Sequence, residues 1–242
     1  MMEIFNNYKL GNQLKYTYSQ ARPFPNIVID NFLNLECALQ CFSELKNHTD
    51  WGKNIPNEYM ENHQINKFWT PWNSRNSVDS LFIQSPTVFS TIQHLNSPQF
   101  VQFLSELTGI KGLLPDVDFF GAGCHRVKSG GKLSLHVDYN IHKDTGNFRV
   151  LNLLLYLNPD WKEEWGGHLE LWNKKEKRME KKITPIMNRA VIFTLSDESV
   201  HGHPHPLQTP PNIDRYSLAL YYFIKKPNQQ FYPRKSVVWH HF

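Results

Sequence analysis

A short motif, His136–Val137–Asp138, places an imidazole and a carboxylate two residues apart. In an extended strand, residues i and i+2 project from the same face, so both side chains can reach one metal ion. A neutral imidazole and a carboxylate suit a metal of intermediate softness, and one further histidine would complete the 2-His-1-carboxylate set that binds non-haem Fe(II). The motif alone is a weak signal, because chance supplies about half a His-x-Asp pair in a chain with 12 histidines. The ordinary interpretation is a histidine and an aspartate that form hydrogen bonds at a strand edge.

A second group of histidines, in the segment Ser199–Leu207 (SVHGHPHPL), offers candidates for the third ligand. His201 is the best placed, because it follows the apolar run AVIFTL after a short polar exit. Prolines follow His203 and His205 and disfavour a ladder strand through them. His203 is a candidate for orienting a ligand or closing the pocket, and His205 is expected to be a solvated loop residue. The remaining histidines are interpreted as structural or exposed, and two of them are the hardest to classify: His125 and His168.

Arg215 and Ser217 begin the apolar segment RYSLALYYF, fourteen residues after His201. Both lie on one face of a predicted strand. An arginine fork beside a hydroxyl suits bidentate binding of a carboxylate, and losing one partner of a buried ion pair typically costs about 3–5 kcal/mol. Tyr156 and Asn152 share a face of the predicted strand FRVLNLLLY, and the Tyr156 phenol could donate to the same carboxylate. The competing interpretation is a strand-start cap for the arginine and serine and an ordinary core position for the tyrosine.

Helices and one strand are predicted to precede these motifs. The segment FPNIVID (24–30) is a β-branched run typical of a strand. Asn34 can cap a helix whose apolar positions recur at helical spacing, namely Leu35, Ala38, Leu39, Phe42 and Leu45. Two further helices are predicted to begin at Ser85–Pro86 and Ser97–Pro98, and Gly109 should end the second.

Strand signals dominate the second half of the chain. The predicted strands lie near Val117–Val127, Lys132–Asp138, Phe148–Leu157, His168–Trp172, Lys181–Pro185, Ala190–Leu195 and Tyr216–Ile224. Gly130–Gly131 and Gly166–Gly167 supply the conformational freedom that tight connections need. This number and spacing of strands predicts a sandwich or barrel, in which the apolar run LNLLLYL is covered on both faces. The stretch Trp51–Asn76 is aromatic and polar without a clear period, and is a candidate loop over an active site.

With 242 residues and 40% hydrophobic content, the chain is predicted to form a single domain. The expected organisation is a helical flank with N-terminal strands over about 1–115, a β core over about 116–226 and a C-terminal extension over 227–242. Three cysteines without framework spacing favour a reduced, cytoplasmic setting. No run of 18 apolar residues and no signal peptide is found, so no membrane association is expected. The basic run Asn173–Lys182 is interpreted as a solvated hairpin tip or, alternatively, as a contact for an anionic substrate or partner.

The motifs occur in an order that resembles the prolyl-4-hydroxylase-like branch of the 2-oxoglutarate/Fe(II) dioxygenases. The resemblance runs from about Phe119 to Phe223, through LSLHVDYN, FRVLNLLLYLNPDWKEEWGGHLELW, ITPIMNRAVIF, SVHGHPHPL and RYSLALYYF. The upstream FPNIVIDNFL also resembles the usual opening of this branch. The resemblance implies a mainly β fold with flanking helices, built on a double-stranded β-helix (jelly-roll, cupin-like) core.

The resemblance also implies a reaction and the roles of the site residues. The implied Fe(II) ligands are His136, Asp138 and His201, the last filling the histidine of the family's S-x-H-G-H-P pattern. The residues implied for 2-oxoglutarate are Arg215, Ser217 and Tyr156, and Asn152 is added as a candidate because it shares the face of Tyr156. The implied reaction is hydroxylation of an unactivated C–H bond in an amino-acid-like, peptidyl or small-metabolite substrate. O₂ is consumed, 2-oxoglutarate becomes succinate and CO₂, and ascorbate is a supporting reductant.

Some positions depart from the family pattern and leave different functions open. Prolyl hydroxylases often carry tyrosines at the positions of Val127 and Leu133, so peptidyl-proline is not assured as the substrate. Tyr221 stands where some members have tryptophan. An oxidative demethylase of nucleic acid would need a basic face interleaved with stacking aromatics, so nucleic acid is not the expected partner. A sensor module that binds 2-oxoglutarate and iron without turnover also stays open. A zinc hydrolase is less favoured, because catalytic zinc prefers His₃ or His₂Glu ligand sets.

Overall fold

The computed structural model describes residues 4–5, 7–53, 63–69, 81–116, 123–225 and 233–242, and for 53 and 64–69 the backbone alone. Most of the predicted loop Trp51–Asn76 lies outside these residues, and its described parts at 52–53 and 64–69 form strands instead of a loop. Residues 117–122 of the predicted strand Val117–Val127 also lie outside them. The helices are α1 Leu10–Gln20, α2 Leu35–Asn47, α3 Pro86–Leu95 and α4 Pro98–Thr108. The strands are β1 Asn26–Ile29, β2 Gly52–Lys53, β3 Gln64–Trp69, β4 Gly123–Val137, β5 Phe148–Tyr156, β6 Leu169–Asn173, β7 Arg178–Ile183, β8 Arg189–Thr194, β9 Ser199–His203, β10 Arg215–Ile224 and β11 Val238–Trp239.

Antiparallel pairing joins these strands into a sheet that curls on itself. The order is β1-β8-β5-β10-β4-β9-β6-β7, with β3 and β11 also paired to β4 and β2 paired to β3. β4 is shared between two layers, because its first half pairs with β10 and its second half with β9. The fold is a double-stranded β-helix, as the resemblance implied.

β4 differs from the prediction. The sequence predicted two strands separated by a tight connection at Gly130–Gly131, but β4 is one strand of 15 residues. Gly130 does adopt a positive φ of 75°, a conformation that glycine takes without steric penalty. The strand continues through it, and a bulge in the pairing with β9 lies between Leu133 and His136. The predicted break at this glycine pair is therefore wrong, whereas Gly166 and Gly167 do form a tight connection, with φ of 72° and 68°.

Helix α2 begins where Asn34 predicted, with its side chain accepting a hydrogen bond from the Glu36 backbone N–H. The predicted apolar face is partly wrong, because Leu35 and Leu39 are 60% and 46% exposed. The helix instead buries a face that contains two cysteines, within a set comprising Cys37, Ala38, Cys41, Glu44 and Leu45. Both thiols contact the Thr91 hydroxyl of α3, at 3.5 and 3.4 Å. The buried cysteines act here as small apolar residues, which shifts the packing face by one position.

The two Ser-Pro signals each mark a helix start. Ser97 accepts a hydrogen bond from the Phe100 backbone N–H at the start of α4. Ser85 precedes α3 but forms no capping bond, and Glu44 of α2 binds the free backbone N–H groups of Thr87 and Val88 instead, at 2.9 and 3.0 Å. A carboxylate at a helix N-terminus satisfies these donors and interacts favourably with the helix dipole. Helices α2 and α3 are thereby joined by charge as well as by packing.

The helices cover one face of the sheet and leave the opposite face for a site. On β5 and β10, alternate residues pack into the main apolar core with the helices: Leu151, Leu153, Leu155, Leu218, Leu220 and Tyr222. The intervening residues point to the opposite, inner face: Asn152, Leu154, Tyr156, Ser217, Ala219 and Tyr221. Both faces of β5 are covered, as the apolar run predicted. Among the described residues, no helix is long and apolar enough to cross a membrane.

Candidate metal and cosubstrate site

The three predicted metal ligands lie together on the inner face. His136 of β4 pairs directly with His201 of β9, so their side chains stand on the same face, and Asp138 follows the end of β4. Asp138 Oδ1 lies 3.4 Å from His136 Nε2, and Asp138 Oδ2 lies 3.5 Å from His201 Nε2. All three residues are buried, and one candidate ligand atom from each lies within 4.8 Å of the others. Within the described parts of the chain, this is the one group of His, Cys, Asp or Glu side chains arranged in this way.

Backbone carbonyls set the tautomer of both imidazoles. His136 Nδ1 lies 2.8 Å from the Ser134 carbonyl oxygen, and His201 Nδ1 lies 2.9 Å from the Ser199 carbonyl oxygen. A carbonyl only accepts, so Nδ1 carries the proton in each ring and Nε2 keeps its lone pair. Burial, followed by the neighbouring His136, lowers the pKa of His201 to about 4. His201 is therefore neutral near pH 7, the form in which an imidazole binds a metal.

A buried arginine that sequence analysis did not identify controls Asp138. Arg149 is fully buried, and its Nη2 donates to Asp138 Oδ2 at 2.6 Å. Asn152 donates to the same oxygen at 2.9 Å and accepts from Arg149 Nε at 3.0 Å. Burial acts to raise the pKa of Asp138, but the guanidinium of Arg149 holds that pKa well below its usual range. The carboxylate is ionised, with Oδ2 used by protein donors and Oδ1 left for a metal.

Two tyrosine rings flank Arg149. Its Cζ lies 3.2 Å from the ring centre of Tyr221 and 4.9 Å from that of Tyr139, in cation–π contacts. The one sequence signal for this residue is its charge at the start of an apolar run that packs on both faces. Tyr221, at the position where some family members have tryptophan, thus supports the arginine that binds Asp138.

A second pocket, suited to a carboxylate, lies on the same inner face. Arg215 is buried, and its Nε donates to the Gly167 carbonyl at 2.9 Å. Ser217 pairs with Tyr156 across β10 and β5, and the Arg215 guanidinium lies 4.8 Å from the Tyr156 ring centre. The Tyr156 hydroxyl is buried and has no partner of good geometry among the described residues. These donors fit the carboxylate of a small dicarboxylic acid.

Asn152 does not join this carboxylate pocket. It lies on the inner face of β5, as predicted, but its amide is used by Asp138 and Arg149. Its contacts are those of a residue that orients the Asp138 carboxylate.

The remaining histidines lie apart from the three ligands. His203 is buried as the last residue of β9, so the predicted exclusion of His203 from the ladder is wrong, and the strand ends at the next residue, Pro204. His205 is exposed, as expected of a solvated loop residue. His168 Nε2 lies 2.8 Å from the exposed Glu163, and His125 is buried on β4 in register with Ser217.

Comparison with known proteins finds oxygenases that this chain resembles. The model of the 2OG-Fe(II) oxygenase superfamily matches residues 122–223, the span that contains both pockets. The chain is similar to members of that superfamily over this span. The chain is 25% identical over 198 residues to a prolyl 3-hydroxylase OGFOD1 of Mus musculus, covering 79% of this chain and 34% of the mouse protein. It is 23% identical over 188 residues to a prolyl 3,4-dihydroxylase OGFOD1 of Ostreococcus tauri, covering 72% and 33%. The chain thus spans about a third of the length of these relatives.

Solved oxygenase structures share the fold at low sequence identity. A Trichoplax adhaerens prolyl hydroxylase in complex with a hypoxia inducible factor peptide matches with a TM-score of 0.55 and 22% identity, over 90% of both chains. HygX of Streptomyces hygroscopicus, with nickel, 2-oxoglutarate and hygromycin B bound, matches with a TM-score of 0.57 and 12% identity, over 88% of this chain and 86% of HygX. These likenesses support the double-stranded β-helix assignment.

The donors on the inner face fit the groups that the superfamily uses. Two imidazoles and one ionised carboxylate match the ligand set of a non-haem Fe(II) site. The orphaned Tyr156 hydroxyl and the terminal nitrogens of Arg215 match one carboxylate of 2-oxoglutarate.

Proposed function

We propose that this oxygenase hydroxylates an unactivated C–H bond of a peptidyl or small-molecule substrate, with iron held by His136, Asp138 and His201. The observation that carries the proposal is the presence of two complementary pockets on one inner face. One offers three metal-binding atoms, and the second offers donors for a carboxylate. If the three metal-binding side chains had only a structural role, the buried Tyr156 hydroxyl would still lack a hydrogen-bond partner, which is unusual for a buried polar group.

When bound, iron and 2-oxoglutarate would supply the oxidising chemistry, in which one oxygen atom of O₂ enters the substrate C–H bond as a hydroxyl and the other enters succinate as 2-oxoglutarate loses CO₂. The side chains bind and orient these groups. Nε2 of each histidine and Oδ1 of Asp138 would hold the metal. Arg215 would neutralise the distal carboxylate of 2-oxoglutarate, and the Ser217 hydroxyl would donate a hydrogen bond to it. Burial raises the pKa of Tyr156, so its phenol keeps the proton that it would donate to the same carboxylate.

A peptide is the favoured class of substrate. Two matched relatives are named as prolyl hydroxylases, and one matched structure contains a peptide fragment. HygX, with hygromycin B bound, supports a small molecule as the second candidate. Val127 and Leu133, which replace frequent family tyrosines, favour a substrate that differs from that of a typical prolyl 4-hydroxylase.

The first experiment is anaerobic addition of Fe(II) and 2-oxoglutarate to the metal-free chain, followed by visible absorption of the chelate. We expect a weak charge-transfer band in the wild type and none in His136→Ala. Arg215→Ala should need at least about 100-fold more 2-oxoglutarate, because it removes the charged partner of a buried carboxylate. Arg126→Ala is the matched control, since Arg126 forms a partly exposed ion pair with Asp214. Iron binding without any band on 2-oxoglutarate addition would refute the cosubstrate assignment.

Succinate release then tests the substrate class. A panel of proline-containing peptides, free amino acids and oligonucleotides is incubated with the iron-loaded chain, 2-oxoglutarate, O₂ and ascorbate. Stimulation by peptides supports the proposal, and stimulation only by methylated oligonucleotides would replace it with a demethylase function. A chelate band without succinate release from any of these compounds would favour a sensor module.

A further inference from the structure

The C-terminal segment 233–242 packs against the strand that carries the metal ligands, although it lies beyond the residues matched by the family model. β11 pairs antiparallel with the end of β4, with Val238 opposite Val137 and Trp239 opposite His136. The His240 backbone N–H donates to the Leu135 carbonyl at 2.8 Å. The segment therefore occupies the edge of β4 on the side away from β9.

Register places Trp239 beside His136 on the inner face. Directly opposite residues of an antiparallel pair stand on the same face, so His201, His136 and Trp239 form a row across three strands. The ring centres of His136 and His201 are 4.5 Å apart, and those of His136 and Trp239 are 5.3 Å apart. Trp239 is itself stacked on His63, with ring centres 4.3 Å apart and an angle of 7° between the planes. The His136 imidazole is thus held between a second ligand and a buried, stacked indole.

Arg234 holds the residues that follow β4. Its Nε donates to the Asp138 carbonyl at 3.2 Å, and its guanidinium forms an ion pair with Asp197. Its backbone N–H donates to Asn140 Oδ1 at 2.6 Å, and its carbonyl accepts from the Asn140 backbone N–H at 2.9 Å. Asp138 and Asn140 are therefore tied to the C-terminal segment by three hydrogen bonds.

We propose that the segment 233–242 completes the metal centre, with Trp239 and Arg234 as positioning residues for His136 and Asp138. Trp239 limits rotation of the His136 imidazole while the Ser134 carbonyl fixes its tautomer. Arg234 fixes the backbone from which the Asp138 carboxylate projects. The inference rests on the proposed function, because it requires that His136, Asp138 and His201 bind a metal. Its consequence is that the ligands are arranged before the metal arrives.

The test is a Co(II) titration of the full-length, metal-free chain, followed by the visible d–d absorption of the bound ion. Partners of this kind typically contribute 10–100-fold to metal affinity, and we expect a loss of about that size in Trp239→Ala, with an altered d–d spectrum. Trp239→Phe should stay within about threefold of the wild type, because it keeps a ring and the indole N–H has no partner among the described residues. Trp161→Ala is the control, since Trp161 is equally buried, 9% exposed, in a different apolar cluster; its Co(II) affinity should be unchanged.

Arg234→Met is a second, independent test variant. Arg234 is partly exposed, so this substitution should destabilise the fold less than Trp239→Ala. We expect weaker Co(II) binding and an altered spectrum here also. Wild-type affinity and spectrum in both Trp239→Ala and Arg234→Met would overturn the inference and leave the segment as ordinary packing. If Trp239→Ala does not fold, Arg234→Met alone decides the question by the same criterion. Failure of the wild type to bind Co(II) would instead refute the proposed function.

Discussion

Arg149 places a buried positive charge against the carboxylate that is proposed to bind the metal. In the metal-free chain, this guanidinium is the cation that compensates Asp138, at 2.6 Å and away from solvent. A divalent ion would add positive charge beside it. Arg149 therefore stabilises the metal-free form and orients the carboxylate, and part of the free energy of metal binding is offset by repulsion between the two cations.

Substituting Arg149 by methionine should destabilise the metal-free protein and enlarge the stabilisation that bound Co(II) provides. The metal-free variant should lose about 3–5 kcal/mol of unfolding free energy, because a buried carboxylate is left without its partner. Excess Co(II) should then raise the melting temperature of Arg149→Met by more than that of the wild type, since the ion restores the missing charge. Thermal unfolding with and without Co(II) measures both effects.

Arg189→Met is the control, because Arg189 pairs with the half-exposed Asp30, and such surface pairs contribute about 0–1 kcal/mol. Equal Co(II)-induced increments in Arg149→Met and the wild type would contradict this account of Arg149.

At the scale of elements, the short connection into β6 shapes the carboxylate pocket. Gly167 has a φ of 68°, and its carbonyl accepts the Arg215 Nε hydrogen bond. A Cβ at this position would lie 2.4 Å from Leu207 Cδ2 and 3.0 Å from Arg215 Cδ. The close approach of this backbone to Arg215 thus requires glycine for space as well as for conformation.

Gly167→Ala should therefore weaken 2-oxoglutarate binding by about 10-fold or more while leaving Co(II) affinity near that of the wild type, because it displaces Arg215 and not the metal ligands. Gly166→Ala is a close control. Gly166 has a similar φ of 72°, but a Cβ there would meet nothing nearer than the Pro206 carbonyl oxygen at 3.9 Å. Gly166→Ala should therefore incur the free-energy penalty of a positive φ without a steric clash between the added Cβ and Arg215. Titration of the Fe(II) chelate band with 2-oxoglutarate separates the two variants, and equal weakening in both would assign the effect to backbone strain.

At the scale of the whole molecule, several buried or partly buried histidines make the metal-free protein sensitive to acid. Burial lowers the pKa of His48, His63, His94, His201 and His240. A histidine whose folded-state pKa is lowered takes up its proton more readily when the chain unfolds. The unfolded state therefore binds more protons below about pH 6.5, and stability falls as the pH is lowered through this range.

His201, with a pKa of about 4, should contribute the clearest part of this effect. Its contribution is complete above about pH 6.5 and declines as the pH falls towards 4, so about 1–2 kcal/mol of unfolding free energy should be lost between pH 7 and pH 5. Urea unfolding of metal-free wild type and His201→Leu at both pH values measures the difference. The variant should lose less stability than the wild type over this interval. An identical loss would mean that His201 titrates normally in the folded chain.

Much of the fold and of the site geometry could be predicted from local pattern. Alternation on β10 distinguished Arg215 and Ser217 from the core-facing residues, and a period of two placed His136 and Asp138 together. Partner choice could not be predicted in this way. Arg149 contacts Asp138 because the start of β5 and the end of β4 direct these side chains to the same inner face of the sheet, which local sequence does not reveal. Trp239 belongs to a strand of two residues, which is too short to show any period.

Two further errors have physical causes of the same kind. A glycine pair that usually marks a turn is accommodated inside β4, because pairing with β10 and β9 continues on either side of it. In α2, the burial of Cys37 and Cys41 against Thr91 outweighed the larger apolar side chains of Leu35 and Leu39. In each case, tertiary contacts selected between locally acceptable arrangements.

The continuity of β4 also bears on how this chain can vary between species. Val127 stands opposite Arg215 in one layer, and His136 stands opposite His201 in the second layer. Because side chains alternate along a strand, the gain or loss of one residue between them would turn His136 outward while the Arg215 end stayed in place. Only a compensating bulge could absorb such a change. Insertions and deletions should accordingly be tolerated in the loops of this lineage, whereas the number of residues from 128 to 135 should be inherited unchanged.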